Sequence, residues 1–389
     1  MAPRVLIAGV STRALAESAA RAGYRVLAVD GFGDLDLRRV AEVRLARDAR
    51  GRTSPGAAVR AAQGARAEGV VYVASFENHP RAVRALAAGR ALWGNPPEVL
   101  EQVRDPLLVA ATLARLGLAT PAVRAAAPSP LGSRSWLAKP RASGGGSGVV
   151  AWRPGRRAPR SCYFQERIAG VPGSIVFAAD GRRAVPLGLT ILLAGERAFG
   201  AAGFRYSGSI LVGRGDAVFA DDERLCARAV ALAEAITRAF GLVGVNGIDF
   251  IARRGTPYPI EVNPRYTAAM ELVERAYGLS IFDLHARACA GGLPAFDLAA
   301  ARHAPPPRAI GKAILYARGD IVFRDTRPWL EDDSVRDISA PGQRCRRGQP
   351  ICTIFAAGSD AAECRAALGR RADALYAELE AHGPCARSA

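Results

Sequence analysis

Two short apolar runs joined by a polar turn, between Val245 and Thr267, place the strongest constraint on how this chain folds. The runs cover 245–252 and 258–263, and the turn contains Gly255 and Pro257. This pattern predicts a β-hairpin. A loop of odd length sets Asp249 opposite Glu261, and strand alternation points Glu261 and Asn263 to the same face.

The three oxygen-bearing side chains on that face favour a divalent cation. Two neighbouring carboxylates repel each other and resist ionising together unless a cation lies between them. Proteins commonly hold Mg²⁺ through one or two carboxylates plus substrate phosphates. We therefore predict Asp249, Glu261 and Asn263 as ligands of Mg²⁺ or Mn²⁺, with a surface hairpin carrying solvated acids as the alternative.

A glycine-rich run follows a predicted strand that carries Lys139. Its residues are Ser143, Gly144, Gly145, Gly146 and Ser147. Consecutive glycines let backbone N–H groups turn inward around phosphate oxygens. The lysine precedes the glycines, so this is not a Walker loop. The pattern predicts a phosphate-binding loop, and a flexible linker is the alternative.

These motifs together resemble the ATP-grasp superfamily, and more narrowly its biotin-carboxylase-related carboligases. The metal-binding signature of that family is similar to 249–251 followed by 260–265. The resemblance implies that ATP is bound between two lobes and that the glycine-rich run is a mobile lid. It also implies roles for single residues. Lys139 bridges the α- and β-phosphates, Gln165 faces the adenine amino group, the backbones of Glu166 and Ile168 pair with the ring edge, and Lys139, Asn263 and Arg265 are catalytic.

Two positions depart from the family pattern. The family commonly carries Asp-Lys where this chain has Asp105-Pro106, so either Arg104 substitutes for that lysine or the contact is missing. Related proteins often place an acid for the ribose hydroxyls at the turn that here contains Gly173. The ribose contact is therefore not assigned.

The order of elements predicts an α/β fold. A strand, helix and strand between Val5 and Asp30 form a β-α-β unit, which predicts a parallel sheet. Glycine and proline clusters at 93–97, 291–294 and 305–307 mark boundaries. We predict a Rossmann-like parallel-sheet domain over 1–96, a two-lobed α+β ATP-grasp domain over 97–304 with its lid at about 107–163, and a small C-terminal mixed β/α piece over 305–389.

Candidate substrate contacts lie at the carboxyl ends of the predicted parallel strands, where open α/β sheets bind ligands. Ser11, Arg13 and Glu77 occupy such loops, and Arg205 in a later glycine-rich loop is suited to hold a carboxylate. A nicotinamide site is not indicated, because no G-x-G-x-x-G motif is present. Helix capping by Ser11 or Thr12 and an ordinary surface role for Arg205 are the alternatives.

The composition narrows the class of partners. The net charge is +17, but the basic residues are spread along the chain without an aromatic platform, so small acidic substrates and ATP are favoured over nucleic acid. Only Lys139 and Lys312 are lysines, which suggests positions where a compact ammonium is needed. No apolar run reaches about 18 residues, so we expect a cytoplasmic protein with no membrane contact, and a homo-oligomer is compatible with the sequence. The seven cysteines include no C-x-x-C pair.

The resemblance to ATP-grasp carboligases implies an expected reaction. A carboxylate attacks the γ-phosphate of ATP to give an acyl phosphate, and an amine, such as that of glutamate, captures it to form an amide. By resemblance, the pathway is that of a one-carbon cofactor similar to methanofuran or tetrahydromethanopterin. The alternatives are a carboxylase that uses bicarbonate through carboxyphosphate and a non-catalytic polyanion-binding protein.

Overall fold

Short apolar strands near the N-terminus form a five-stranded parallel sheet in the computed structural model, which describes residues 2–128, 134–155, 158, 160–303 and 309–381. The strand order is β3-β2-β1-β4-β5. Helices cover both faces, and β1 is accordingly buried from its second residue onward. The strands are β1 (Arg4–Ala8), β2 (Arg25–Asp30), β3 (Ala41–Leu45), β4 (Gly69–Tyr72) and β5 (Ala91–Leu92). The helices up to residue 115 are α1 (Arg13–Arg21), α2 (Leu35–Val40), α3 (Pro55–Ala61), α4 (Pro80–Ala87), α5 (Pro97–Val103) and α6 (Pro106–Arg115).

A small antiparallel sheet follows and carries Lys139. Its strands pair in the order β6-β9-β7-β8 around a small core of Trp136, Ala138 and Phe164. The sheet brings the predicted lysine strand beside the predicted adenine hinge, since Lys139 is the register partner of Tyr163. The strands are β6 (Val123–Arg124), β7 (Trp136–Pro140), β8 (Val150–Trp152) and β9 (Cys162–Glu166).

An eight-stranded antiparallel sheet forms the body of the rest of the chain. Its order is β14-β13-β10-β11-β12-β15-β19-β17, so the C-terminal strands continue the sheet that holds the hairpin. The strands are β10 (Val171–Asp180), β11 (Ala184–Ala194), β12 (Tyr206–Val212), β13 (Val243–Arg253), β14 (Thr256–Asn263), β15 (Ala309–Tyr316), β17 (Val335–Arg336) and β19 (Pro350–Gly358). A separate short hairpin pairs β16 (Ile321–Val322) with β18 (Arg344–Cys345).

The main core lies between this large sheet and its helices. Phe177, Leu189 and Phe250 are fully buried from the strands, and Ile236 and Leu368 from the helices. The helices at 222–240 and 361–381 pack their apolar residues, which recur at helical spacing, against the sheet. The helices are α7 (Asp222–Phe240), α8 (Ala269–Tyr277), α9 (Ile281–Cys289), α10 (Leu298–Ala301) and α11 (Ala361–Ala381), and 3-10 turns occur at Phe76–Asn78, Arg197–Phe199 and Arg327–Glu331.

The predicted fold class is confirmed, with a parallel-sheet region followed by two antiparallel sheets. The predicted domain boundaries remain predictions, and the one at 304/305 lies outside the described residues. Within the described residues, no helix is both long and apolar enough to cross a membrane.

Candidate active site

The hairpin of β13 and β14 forms as predicted and brings the acidic residues together. Asp249 is the register partner of Glu261, and Gly247 is the partner of Asn263. A register shift follows Asp249, where the odd loop length is absorbed. The three predicted metal ligands therefore lie on one wall of a cleft of about 640 Å³, a volume typical of small-molecule sites.

Asp249 and Asn263 are joined by a hydrogen bond. Asn263 donates from Nδ2 to Oδ2 of Asp249 over 3.1 Å, and its Oδ1 accepts from Arg265 over 3.1 Å. Burial raises the pKa of Asp249 to about 6, and the nearby charge of Glu261 adds to this shift. A cation at this position would favour the ionised carboxylate.

The donor set fits a hard divalent cation. Two carboxylates and one side-chain amide supply oxygen ligands, and Mg²⁺ prefers oxygen. The described residues contain no cluster of three or more His, Cys, Asp or Glu side chains suited to a metal, so the amide of Asn263 is needed to complete the set. Softer metals that select thiolate or imidazole ligands are disfavoured by the same composition.

Arg104 reaches Glu261 from the end of α5. Its Nη1 lies 2.7 Å from Oε1 of Glu261 and 2.9 Å from the carbonyl oxygen of Val262, and its Nη2 donates to the carbonyl oxygen of Ser143 over 3.2 Å. Burial opposes ionisation of Glu261, but the charges of Arg104 and Lys139 outweigh it and lower its pKa. Arg104 thus places a cation beside the hairpin of β13 and β14 and the glycine-rich loop, two residues before Pro106, the position where the family commonly carries a lysine.

Lys139 projects from β7 into the cleft. Its Nζ donates to Oε1 of Gln165 over 3.1 Å and to the carbonyl oxygen of Ile260 over 3.0 Å. Burial lowers the pKa of Lys139, and the negative charges of Glu261 and Asp249 oppose that shift. Gln165 lies in the cleft, and its amide oxygen accepts one hydrogen bond from Lys139, which leaves a second lone pair for the predicted adenine amino group.

The predicted hinge and lid residues also border the cleft. As far as the structure describes it, the wall includes Ser143, Gly144, Gly145, Gly146, Glu166 and Ile168, and it does not include Ser147. Gly146 has φ 72° and a Cβ there would lie 1.8 Å from the carbonyl oxygen of Phe204, so no side chain fits. Tyr206 donates its backbone N–H to Gly145 over 3.0 Å, which docks the loop against β12.

Arg13 forms ion pairs with carboxylates from three parts of the chain. It is 1% exposed. Its Nε lies 3.0 Å from Asp337 and its Nη1 lies 3.2 Å from Glu17, while Glu271 accepts from both terminal nitrogens. Lys312 also donates to Glu271. Burial alone would raise the pKa of Glu271, but the positive charges of Arg13 and Lys312 outweigh burial and lower it. Arg13 also borders the cleft, so its direct contact with substrate stays a prediction, although its donors are bound to these carboxylates here.

The other predicted substrate residues divide between the cleft and its surroundings. Ser11 is exposed and borders the cleft. Glu77 is 1% exposed and lies against Arg265 instead of facing the cleft, which corrects its predicted substrate contact. The guanidinium carbon of Arg205 lies 3.8 Å from the ring centroid of Tyr316, and Arg205 is not part of the described cleft wall.

Several cleft residues were not predicted from the motifs. Lys312, Asp337 and Thr353 border the cleft from the C-terminal strands and the adjoining loop, and Tyr206 and Ser209 border it from β12. The rarity of lysine was a signal for Lys312. The others carry no local pattern, because their neighbours in the cleft are distant in sequence.

Comparison with known proteins agrees with this geometry. A family model described as ATP-grasp domain matches residues 103–269. An uncharacterised protein of Methanocaldococcus jannaschii is 24% identical over 121 residues, which is 31% of this chain and only 28% of that protein.

Solved structures share the fold over nearly the whole chain. The biotin carboxylase domain of a single-chain bacterial carboxylase has a TM-score of 0.70 and 20% identity, with coverage of 97% of this chain and 89% of that one. N5-carboxyaminoimidazole ribonucleotide synthetase from Thermus thermophilus has a TM-score of 0.66 and 20% identity, covering 96% and 98%. L-amino acid ligase from Bacillus licheniformis has a TM-score of 0.66 and 18% identity, with the same coverage.

Proposed function

Because residues 103–269 of this chain form an ATP-grasp domain, we propose that the protein is an ATP-dependent ligase that joins a carboxylate to an amine through an acyl phosphate. The observation that carries the proposal is the position of three half-buried cations, Lys139, Arg104 and Arg265, around the facing carboxylates of Asp249 and Glu261. Such a site offers positive charge to phosphates while keeping oxygen ligands for a metal.

The triphosphate would lie between the glycine-rich loop and the hairpin. Lys139 would donate to the α- and β-phosphates once it exchanges its contacts with Gln165 and Ile260 for phosphate oxygens. The N–H groups of the glycine-rich loop would add neutral donors. Asp249, Glu261 and Asn263 would hold Mg²⁺ or Mn²⁺, which when bound neutralises charge on the transferring phosphoryl group.

The reaction balances as two displacements. An oxygen of the substrate carboxylate forms a bond to the γ-phosphorus while the bond to the β–γ bridging oxygen breaks, and ADP leaves. The amine nitrogen then attacks the acyl carbon, inorganic phosphate leaves, and the amine loses its proton. Arg265 would hold the phosphoryl oxygens or the tetrahedral oxyanion, since its guanidinium already donates to Oδ1 of Asn263 at the end of the hairpin.

The net charge supports an acidic amine substrate. A charge of +17 favours the approach of anions such as glutamate or a growing glutamate chain. We extend the proposal to the synthesis of a one-carbon cofactor similar to methanofuran or tetrahydromethanopterin. This extension rests on resemblance to related carboligases.

A bicarbonate-using carboxylase is the second candidate, favoured by the shared fold with a biotin carboxylase domain. Both reactions release ADP and phosphate, so the co-substrate separates them. The test is to incubate the protein with Mg-ATP and a panel of carboxylates crossed with amino acids, and to separate ADP from AMP. ADP that requires both an acid and an amine supports the ligase. ADP that requires bicarbonate supports the carboxylase, and AMP contradicts both.

A further inference from the structure

One short turn of the parallel-sheet region contacts two arginines of the candidate active site. The 3-10 turn Phe76–Asn78 lies after β4, far in sequence from the hairpin. Glu77 contacts Arg265 and Asn78 contacts Arg104. Glu77 and Asn78 thus contact arginines that lie 188 and 26 positions later in the sequence.

Glu77 forms a buried ion pair with Arg265. The Oε1 of Glu77 lies 2.7 Å from Nη2 of Arg265, and the two side chains are 0% and 11% exposed. The hydrogen bonds of Arg265 go to the carbonyl oxygen of Tyr266 and to Oδ1 of Asn263, both close to it in sequence. Glu77 is thus the carboxylate that fixes the guanidinium from a different part of the fold.

Asn78 positions Arg104 through neutral hydrogen bonds, where Glu77 positions Arg265 through an ion pair. Its Oδ1 accepts from Nε of Arg104 over 3.1 Å and from Nη2 over 2.9 Å. These two bonds orient the guanidinium plane, which leaves Nη1 directed at Glu261 over 2.7 Å. An arginine held at two donors loses less freedom when it meets a ligand.

We infer that the turn Phe76–Asn78 is a positioning element that aims both arginines, Glu77 acting through Arg265 and Asn78 acting through Arg104. The inference rests on the proposed ligase function and deepens it. Arg265 lies at the end of the hairpin where the phosphoryl group transfers, so the Glu77 contact serves the chemical step. Arg104 lies between the glycine-rich loop and Glu261, so the Asn78 contact serves binding of Mg-ATP.

The test compares Glu77→Gln and Asn78→Ala with a matched control. Asp222→Asn removes the charge from another buried ion pair, which joins Arg302 over the same 2.7 Å outside the described cleft wall. The readouts are kcat and KM for ATP in the ADP-release assay. Calorimetry adds the affinity for Mg-ADP with and without aluminium fluoride, which mimics the transferring phosphoryl group.

We expect Glu77→Gln to lower kcat at least about tenfold with little change in KM, since misplacement of a catalytic group acts on the transition state. The same variant should lose the gain in Mg-ADP affinity that aluminium fluoride gives the wild type. Asn78→Ala should raise KM and the dissociation constant for Mg-ADP, with a smaller effect on kcat. Asp222→Asn should lower the unfolding temperature without moving either kinetic constant.

A double variant separates positioning from general stability. If Glu77 acts through Arg265, adding Glu77→Gln to Arg265→Lys should cost much less than it costs in the wild type. Multiplicative losses, or a Glu77→Gln protein with wild-type kcat and wild-type fluoride response, overturn the inference while leaving the ligase proposal intact. Wild-type protein that binds no Mg-nucleotide overturns the proposed function and, with it, this inference.

Discussion

Asp249 and Glu261 face each other across one hairpin, yet their pKa values are displaced in opposite directions. Burial and the charge of Glu261 raise the pKa of Asp249 to about 6. Burial acts on Glu261 as well, but Arg104 and Lys139 lower its pKa overall. The hairpin without a cation therefore holds one readily ionised carboxylate and one that ionises at a cost.

The first prediction concerns this cost. Because the pKa of Asp249 is higher in the folded than in the unfolded state, its ionisation destabilises the folded protein. The free energy of unfolding is therefore unaffected by this residue below about pH 4 and falls as the pH rises through about 6. The shift from 3.8 to about 6 corresponds to about 3 kcal/mol. Asp249→Asn should therefore raise the unfolding temperature of metal-free protein above pH 6, with the difference vanishing near pH 4. Thermal melts in EDTA across this range measure it. A variant less stable than wild type at pH 7 would contradict the assignment.

The second prediction concerns Arg104. Arg104→Met removes the cation paired with Glu261, which leaves a half-buried carboxylate without its partner and should weaken binding of Mg-ATP by about tenfold or more. Isothermal titration calorimetry measures the affinity. Arg115→Met is a suitable control, because Arg115 is exposed on α6 and donates to the hydroxyl oxygen of Thr112 on the same helix. Equal affinities for the two variants would show that Arg104 does not replace the missing lysine.

The third prediction concerns Lys139. The ammonium fits between Oε1 of Gln165 and the carbonyl oxygen of Ile260 at 3.1 and 3.0 Å, and a planar guanidinium is larger and directs its donors differently. Lys139→Arg should therefore raise KM for ATP nearly as much as Lys139→Met does. Steady-state kinetics of ADP release compares the pair. Full activity of the arginine variant would mean that positive charge alone is sufficient there.

The fourth prediction concerns the ion pairs that join Arg13 to Glu271 and Asp337. Arg13→Met leaves the buried acid Glu271 and the half-buried acid Asp337 without a shared cation and should lower the free energy of unfolding by about 3 to 5 kcal/mol. Urea denaturation measures the change. The exposed pair of Arg39 and Glu331 provides the contrast, since Arg39→Met should cost less than about 1 kcal/mol. Similar losses for both variants would argue against a stabilising role for the buried network.

The sequence allowed prediction of those parts of the site that are local. The register of Asp249 with Glu261 follows from strand alternation and loop length within 13 residues, and the glycine-rich loop follows directly from composition. The contacts of Arg104 could not be predicted this way, because Asn78 and Glu261 lie 26 and 157 positions from it. The ion pair of Arg13 with Glu271 could not be predicted for the same reason, since nothing near Arg13 in sequence indicates a partner 258 positions away.

The most direct test of the central claim is the release of ADP by wild-type protein and by Glu261→Gln, with Mg-ATP and a carboxylate–amine pair identified from the panel. The variant keeps the shape of the side chain but removes the proposed metal-binding carboxylate and the charged partner of Arg104. We predict ADP and amide in equal amounts from the wild type, and turnover at least about a hundredfold slower from the variant. Equal rates from the two proteins would contradict the account of this hairpin as the metal and phosphoryl site.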